Sequence, residues 1–214
     1  MKKLKLLDLF CGAGGCAMGY HRAGFDVVGV DIKPQPNYPF DFIHADAMTY
    51  PLDGFDVIHA SPPCQAFTSL TGSKEAQAKH PDLVGPVRQK LQNYGKPYVI
   101  ENVVGSALRF PMQLCGTNFG LYDPVEKVYL RRHRLFECDP LILGPSSCSC
   151  YGKTTVYVSS SMQPEIARHK GHNKCGTKCA KRLMDIDWME THGLGQAIPP
   201  AYTEYIGKQL MRIL

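Results

Sequence analysis

Between Leu4 and Asp31 an apolar run, Leu4 to Phe10 broken by Asp8, passes straight into Cys11-Gly12-Ala13-Gly14-Gly15. A helix-compatible stretch follows through Met18, Tyr20 and Ala23, and then Phe25-Asp26-Val27-Val28-Gly29-Val30-Asp31. Short apolar runs bounded by turn residues read as buried strands, and a glycine cluster directly after one marks a tight turn. Strand, glycine turn, helix, strand and terminal acid is the opening of a nucleotide-binding α/β sheet: N–H groups of the turn approach a ligand and the acid holds ribose hydroxyls. Asp31 is that acid. Glycines of this kind also serve plain turns, so the motif alone leaves ligand binding and turn formation equally open.

The rhythm continues. A proline-rich stretch (Pro34, Pro36, Pro39) leads to Phe42-Ile43-His44-Ala45-Asp46, Phe55 to Ala60 forms another strand that stops at Pro62-Pro63, and Tyr98-Val99-Ile100 is a further short strand running into Glu101-Asn102-Val103. Arg131 to Phe136 and Thr155 to Val158 read as strands of a less regular region. Strands alternating with helices and loops predict a mostly parallel sheet. Two segments break the pattern. Residues 66 to about 85 are polar and longer than the usual connection, which marks a lid; residues from about 140 to 182, rich in Gly, Ser, Cys, Lys and His, predict a small irregular insertion.

Ser61-Pro62-Pro63-Cys64-Gln65 is the most specific feature. Proline fixes φ and biases the residue before it toward extended geometry, so Cys64 is presented on a stiff loop just past a strand end, where ligands bind in open α/β sheets. A lone cysteine is usually a small buried hydrophobe, yet Pro-Pro-Cys is a poor core element, and the rigid loop favours a nucleophile. Glu101 follows another strand on the same edge; burial there would keep its carboxyl protonated or sharing a proton with a ring nitrogen. In Arg132-His133-Arg134 the alternation places both arginines on one strand face, where they could grip a carbonyl oxygen or a phosphate. Taken singly, Glu101 and the arginine pair read as a salt bridge or a solvated edge; beside Cys64 they acquire roles.

The 214 residues, 44% of them hydrophobic, suffice for one domain with a real core. No signal peptide or membrane span is legible, which predicts an intracellular, cytoplasmic protein. In that compartment nine cysteines read as thiols, catalytic groups or metal ligands rather than disulfides. Lys and Arg outnumber Asp and Glu by 24 to 19, a formal charge of +5 that permits a polyanionic partner without requiring one.

Asp8 to Gly15, Pro62 to Gln65, Glu101 to Val103, Arg132 to Arg134 and the closing Gln196-Ala197-Ile198-Pro199-Pro200 through Ile206-Gly207 resemble, in order and over nearly the whole chain, the motifs of the cytosine carbon-5 DNA methyltransferase family. The chain also looks like the short stand-alone methylases of bacteriophages. The resemblance implies a Rossmann-like sheet dependent on S-adenosylmethionine, with a catalytic and cofactor-binding domain at 1–139, a small target-recognition segment at 140–186 and a C-terminal segment, 187–214, returning to the catalytic domain. It implies a monomer that methylates carbon 5 of a cytosine flipped out of double-stranded DNA, working inside the host cell if phage-encoded. Cys64 would add to carbon 6, Glu101 would steady N3, and Arg134, helped by Arg132, would bind O2.

For the cofactor, Phe10, Gly12, Ala13 and Gly15 match the family's main-chain cradle and aromatic wall. Asp31 and Ile32 would take the ribose and one adenine face, Asp46 and Ala47 the adenine edge, and Pro63 another wall, with Gln196 and Ile198 completing the pocket. The family commonly has Asn where this chain has Gln196. Asp46 also reads as an ordinary cap or turn former. Two other readings share the motifs: a transfer RNA cytosine methyltransferase with the same catalytic set, and a non-catalytic nucleic-acid-binding decoy. The decoy has no need of Cys64, Glu101 and Arg134 together.

In the insertion, Cys148, Cys150, Cys175 and Cys179, with His169 and His172 between them, offer ligands for a structural zinc; free thiols on a loop are the alternative. Lys153, Arg168, Lys170, Lys174, Lys178, Lys181 and Arg182 predict phosphate contacts, and a recognition segment this short implies few base contacts. Trp188 reads as a core or interface residue, or as a wedge near DNA.

Overall fold

The structure, a computed structural model, describes residues 3–67, 73–158, 167–169 and 172–214, with the main chain alone over 167–169 and 172–174. Strands β1 (Lys5–Leu9), β2 (Asp26–Asp31), β3 (Asp41–His44), β4 (Val57–Ala60), β5 (Tyr98–Asn102), β6 (Met112–Leu114) and β9 (Arg134–Asp139) form a seven-stranded sheet in the order β3-β2-β1-β4-β5-β9-β6. The first five strands are parallel; β9 runs antiparallel between β5 and β6. Burial explains the order. All of β4 and β5 and four of the five residues of β1 are buried, as central parallel strands covered on both faces must be. The edge strand β3 carries charged or polar residues at both ends and buries none of its four.

Helix α1 (Gly15–Ala23), capped at its C-terminus by left-handed Gly24, packs with α6 (Pro200–Ile213) on one sheet face. Ala17, Tyr20, Tyr202, Ile206 and Leu210 meet Leu6, Val27, Val57 and Val99 there. Gly19 allows this approach, since a Cβ on it would collide with the Thr203 hydroxyl and the Pro200 carbonyl. Helix α3 (Val84–Tyr94) covers the other face through Val87 and Leu91 against Leu7, Leu9, Ile58 and Ile100. The expected α/β fold with a mostly parallel sheet is therefore what the chain adopts.

The insertion is more regular than its composition predicts. Strands β7 (Tyr122–Asp123), β8 (Val128–Leu130), β10 (Thr155–Tyr157), β11 (Ala167–His169) and β12 (His172–Lys174) make a second sheet in the order β11-β12-β10-β8-β7. Helix α4 (Thr177–Met184) closes a separate small core of Val128, Leu130, Val156, Cys179, Leu183 and Met184, to which Leu194 of α5 (Thr191–Gln196) also belongs. This unit draws on β7 and β8 from ahead of residue 140, while β9 between them and β10 serves the main sheet, so the chain crosses between the two sheets more often than a single cut at 139 allows. Within the expected lid, Ser73 caps the short helix α2 (Lys74–Gln77), Gly85 already belongs to α3, and 68–72 lie outside the described residues. Among the described residues no helix is long and apolar enough to cross a membrane.

Candidate active site

In the sheet order the connections reverse direction between β1 and β4, and the crevice at such a reversal, outside the carboxyl ends of the strands, is where open α/β sheets bind ligands. Leu9 ends β1 beside Ala60 at the end of β4, so the glycine turn and the Pro62-Pro63-Cys64 loop diverge from neighbouring strands. Ala60 in turn pairs with Ile100, one residue before Glu101. Because β9 is antiparallel to β5, its first residue, Arg134, starts at this same edge.

The turn side of the crevice fits a nucleoside. Phe10 and Gly12 adopt left-handed φ of 58° and 49°, and nothing stands within 4 Å of where a Cβ on Gly12 would be, which leaves the main chain open to a ligand. Asp31 ends β2 with one carboxylate oxygen accepting from the Gly12 N–H and the other from the Lys33 N–H, both at 2.9 Å. Each oxygen keeps a lone pair for a hydroxyl. Ile32 beside it is 65% exposed, an apolar face next to an acid. Asp46 realises its turn role by accepting from the Met48 N–H at 2.8 Å, yet its side chain is exposed. Ala47 is buried, its carbonyl tied to Lys90, and Pro63 is exposed. From the C-terminal segment, the Ile198 main chain lies so close to Gly15 that a Cβ there would strike the Ile198 carbonyl, while the Ile198 side chain enters the core and Gln196 stays exposed. Trp188 is half buried and donates its indole N–H to the Ala13 carbonyl at 2.9 Å, which makes it a brace of the glycine turn.

On the other side, Asn102 donates to the Pro62 carbonyl at 3.0 Å and pins the loop that carries the half-buried Cys64. Burial pushes the Cys64 thiol above its ordinary value and nearby Glu101 adds to the shift; Arg134 and Arg132 oppose it. Glu101 is 6% exposed and ion-paired with Arg134 at 3.2 Å. Burial raises its carboxyl, against the pull of Arg134 and a hydrogen bond from Ser61. Arg134 also donates to the His133 carbonyl at 2.8 Å.

The two arginines do not share a strand face. The strand expected from Arg131 begins at Arg134, because 131–133 cross from the second sheet into the first. Arg132 is buried with its guanidinium donating to the Val158 carbonyl at 3.1 Å and the Gly195 carbonyl at 2.9 Å, and the Tyr202 hydroxyl donates to the Arg132 carbonyl at 2.7 Å. Burial and Arg134 lower its pKa to about 9. It therefore fastens the second sheet and α5 to the site, and acts on Cys64 and Glu101 through its field.

Composition and spacing give no hint of what lies behind Glu101. His59, wholly buried in β4, has its ring nitrogens 2.9 Å from the Tyr20 hydroxyl and 3.0 Å from the Ser61 hydroxyl. Burial lowers His59 to about 3, so it is neutral. A neutral ring lets Tyr20 donate to Nδ1 and Nε2–H donate to Ser61, which frees the Ser61 proton for Glu101. Every donor in this chain is then used. A buried histidine in an otherwise apolar strand was the available signal. Since an unfolded His59 takes up a proton near its ordinary 6.5 and the folded one only near 3, the unfolded state binds more protons between these values. Stability contributed by this group is thus present above 6.5 and lost as pH falls through that window. A His59→Gln variant should show a flatter decline, the difference reaching a few kcal/mol at the acid end; denaturant midpoints measured across pH check this, and parallel curves would refute it.

The predicted metal set needs correction. Cys175 and Cys179 face the small core beneath α4 and are joined in a disulfide, contrary to the expectation of thiols or metal ligands rather than disulfides. Cys148 and Cys150 lie instead on the irregular stretch between β9 and β10, against His133 and Cys115. The side chains of His169 and His172, and of Arg168, Lys170 and Lys174, lie outside the described residues. Three of the expected phosphate-binding residues have internal partners: Arg182 grips the buried Asp123 carboxylate at 2.7 Å, Lys181 donates to the Asp187 carbonyl, and Lys153 stands over the Tyr129 ring.

Comparison with known proteins agrees with this arrangement. Residues 4–107, which carry the glycine turn, Cys64 and Glu101, match the family described as C-5 cytosine-specific DNA methylase. The fold superimposes on a protein assigned as a DNA modification methyltransferase encoded within an E. coli prophage, with a TM-score of 0.64 and 15% identity over 98% of this chain and 99% of that one. It superimposes on the S. pombe Dnmt2 methyltransferase with a TM-score of 0.62 and 14% identity over 99% of each chain. For the Entamoeba histolytica methyltransferase EhMeth the TM-score is 0.59 at 12% identity, over all of both chains. At such identities the likeness is one of fold, and no curated protein sequence matches the chain. Residues 4–107 are thus similar to the C-5 cytosine-specific DNA methylase family, and the glycine turn, Cys64 and Glu101 that they carry meet at the reversal point of the sheet.

Proposed function

We propose that the protein, acting as a monomer inside the cell, methylates carbon 5 of cytosine in double-stranded DNA through a transient bond between Cys64 and the flipped base. The observation that carries this reading is the convergence of Cys64 with the Glu101–Arg134 ion pair at the carboxyl edge of the sheet, close enough for each charge to act on the thiol.

Phe10, Gly12, Ala13 and Gly15 would cradle S-adenosylmethionine, Asp31 its ribose hydroxyls and Ile32 one adenine face, with Asp46, Ala47, Pro63, Gln196 and Ile198 around the rest. When bound, the cofactor supplies the electrophilic methyl group. Cys64 as thiolate adds its Sγ to carbon 6 of the ring, and the pair of the carbon 5–carbon 6 double bond moves toward carbon 5, which becomes the nucleophile. Glu101 shares its proton with N3 as charge shifts into the ring, and Arg134 holds the O2 oxygen, with the field of Arg132 behind it. After methylation, a base takes the carbon 5 proton; the electrons of that C–H bond re-form the double bond and expel the Cys64 thiolate. A stacked base cannot meet both sulfur and methyl donor, so it must leave the helix. The +5 charge suits a polyanion.

Methyl transfer from labelled S-adenosylmethionine to duplex DNA of mixed sequence and to bulk transfer RNA separates the DNA and RNA readings. The proposal expects label in DNA as 5-methylcytosine. Label in transfer RNA alone would replace DNA by RNA as substrate, and label in neither would favour the decoy.

A further inference from the structure

Outside the active site, Cys115, His133, Cys148 and Cys150 form a group of potential metal ligands among the described residues. Their ligand atoms all lie within 4.8 Å of one another. His133 Nε2 is 3.3 Å from the Cys148 sulfur and 3.6 Å from the Cys150 sulfur, and the two sulfurs are 3.4 Å apart. Zinc bonds of about 2.3 Å to sulfur and 2.0–2.1 Å to nitrogen set tetrahedral ligand atoms roughly 3.5–3.8 Å apart. The observed spacings are near those edges.

The surroundings resemble those of a ligand set as well. Cys115 is fully buried just after β6, and the Asn118 N–H points at its sulfur in a reciprocal cap, with Asn118 Oδ1 accepting from the Cys115 N–H at 2.9 Å. Asn118 then donates to the Ser146 carbonyl at 2.8 Å, which ties the loop of the first ligand to the stretch that holds the third and fourth. Hydrogen bonds of this kind orient metal ligands from outside the coordination sphere. From Pro140 to Thr154 no described residue is in helix or strand, so little else fixes the Cys148–Cys150 segment. Three thiols and an imidazole, with no carboxylate among them, match the donor preference of zinc over the harder divalent ions.

We propose that Cys115, His133, Cys148 and Cys150 bind a structural zinc ion that clamps the crossing between the two sheets. The four ligands come from the turn just after β6, from the 131–133 crossing and from the stretch leading to β10, so one ion joins three segments that are distant in sequence. All four protein positions are filled, which leaves no open coordination site and marks the ion as structural. His133 sits between Arg132, which fastens the second sheet, and Arg134, which pairs with Glu101. Fixing the His133 ring therefore holds the arginine that faces the base. The metal reading stands on this geometry and does not depend on the substrate being DNA.

The test is elemental analysis of the full chain, produced without a metal-binding tag in zinc-replete medium and purified without chelators. The proposal expects close to one zinc per chain, lost in Cys148→Ser and kept in a Cys175→Ser, Cys179→Ser double variant. Should Cys148→Ser fail to fold, mass mapping of thiol alkylation in the unaltered protein decides instead. Cys115, Cys148 and Cys150 should resist modification until a mercurial displaces zinc into a chromogenic indicator. Absence of zinc with those three cysteines freely alkylated, iron in its place, or zinc lost from the Cys175, Cys179 variant but retained by Cys148→Ser would each overturn the assignment.

Discussion

Replacing Cys64 by alanine should abolish methyl transfer, by at least several orders of magnitude, while leaving S-adenosylmethionine affinity unchanged. The two outcomes separate because the sulfur and the cofactor cradle belong to different loops: Cys64 is on the loop after β4, and Phe10 to Gly15 follow β1. Without the sulfur the addition to carbon 6 is lost, and the ring stays aromatic and unreactive. Cys64 is half buried on a loop held by Asn102, so trimming its side chain removes little packing and the melting temperature should stay near that of the unaltered protein. Radiolabelled methyl transfer, cofactor titration and thermal melting read the three quantities. Retained transfer would remove the nucleophile from the account, and loss of cofactor affinity would show that the substitution disturbs more than the thiol.

Arg134→Ala should lower kcat/KM by about 10²–10³, the usual loss when a preorganised donor to a developing oxyanion is removed, and Glu101→Gln by about 10²–10⁴, the range of general acid–base contributions. As the two side chains are ion-paired at 3.2 Å, the double variant should fall little below the worse single one. Their effects on Cys64 are opposite in sign. Glu101 raises the thiol and Arg134 lowers it, so Glu101→Gln should speed alkylation of Cys64 at neutral pH and Arg134→Ala should slow it. Strictly additive losses in kcat/KM, or alkylation that changes in the same direction in both variants, would mean that these groups do not act on the sulfur as a pair.

The parts of the fold that can be read from sequence are those with a local cause. Apolar runs ending in Gly12 or in Pro62-Pro63 fix strand ends, and strand ends fix the edge at which Asp31, Cys64 and Glu101 gather. What the sequence hides is decided by pairing between distant segments. Alternation in Arg132-His133-Arg134 implies one continuous strand, but the chain crosses between sheets at that point, so its three side chains reach three different partners: the Val158 carbonyl, the cysteine cluster and Glu101. Spacing alone groups Cys148 and Cys150 with the nearest later cysteines, whereas Cys115 and His133 reach them through the order of β6 and β9. Of the second sheet only β10 is legible, in Thr155 to Val158; its other strands are two or three residues long and its core depends on α4 lying over β8. His59 belongs to no motif, since one histidine in an apolar strand has no pattern; its ring gains partners only in the fold, from Tyr20, brought by α1, and from Ser61.

Duplex DNA carrying 5-fluorocytosine at a verified methylation site provides the most direct measurement. Fluorine at carbon 5 cannot depart as a proton, so the step that frees the sulfur is blocked after methyl transfer. With S-adenosylmethionine present, protein and DNA should become covalently joined, and peptide mapping should find the modified base on Cys64. A duplex that is methylated normally with cytosine yet yields no adduct with 5-fluorocytosine, or an adduct carried by any residue other than Cys64, would contradict the account.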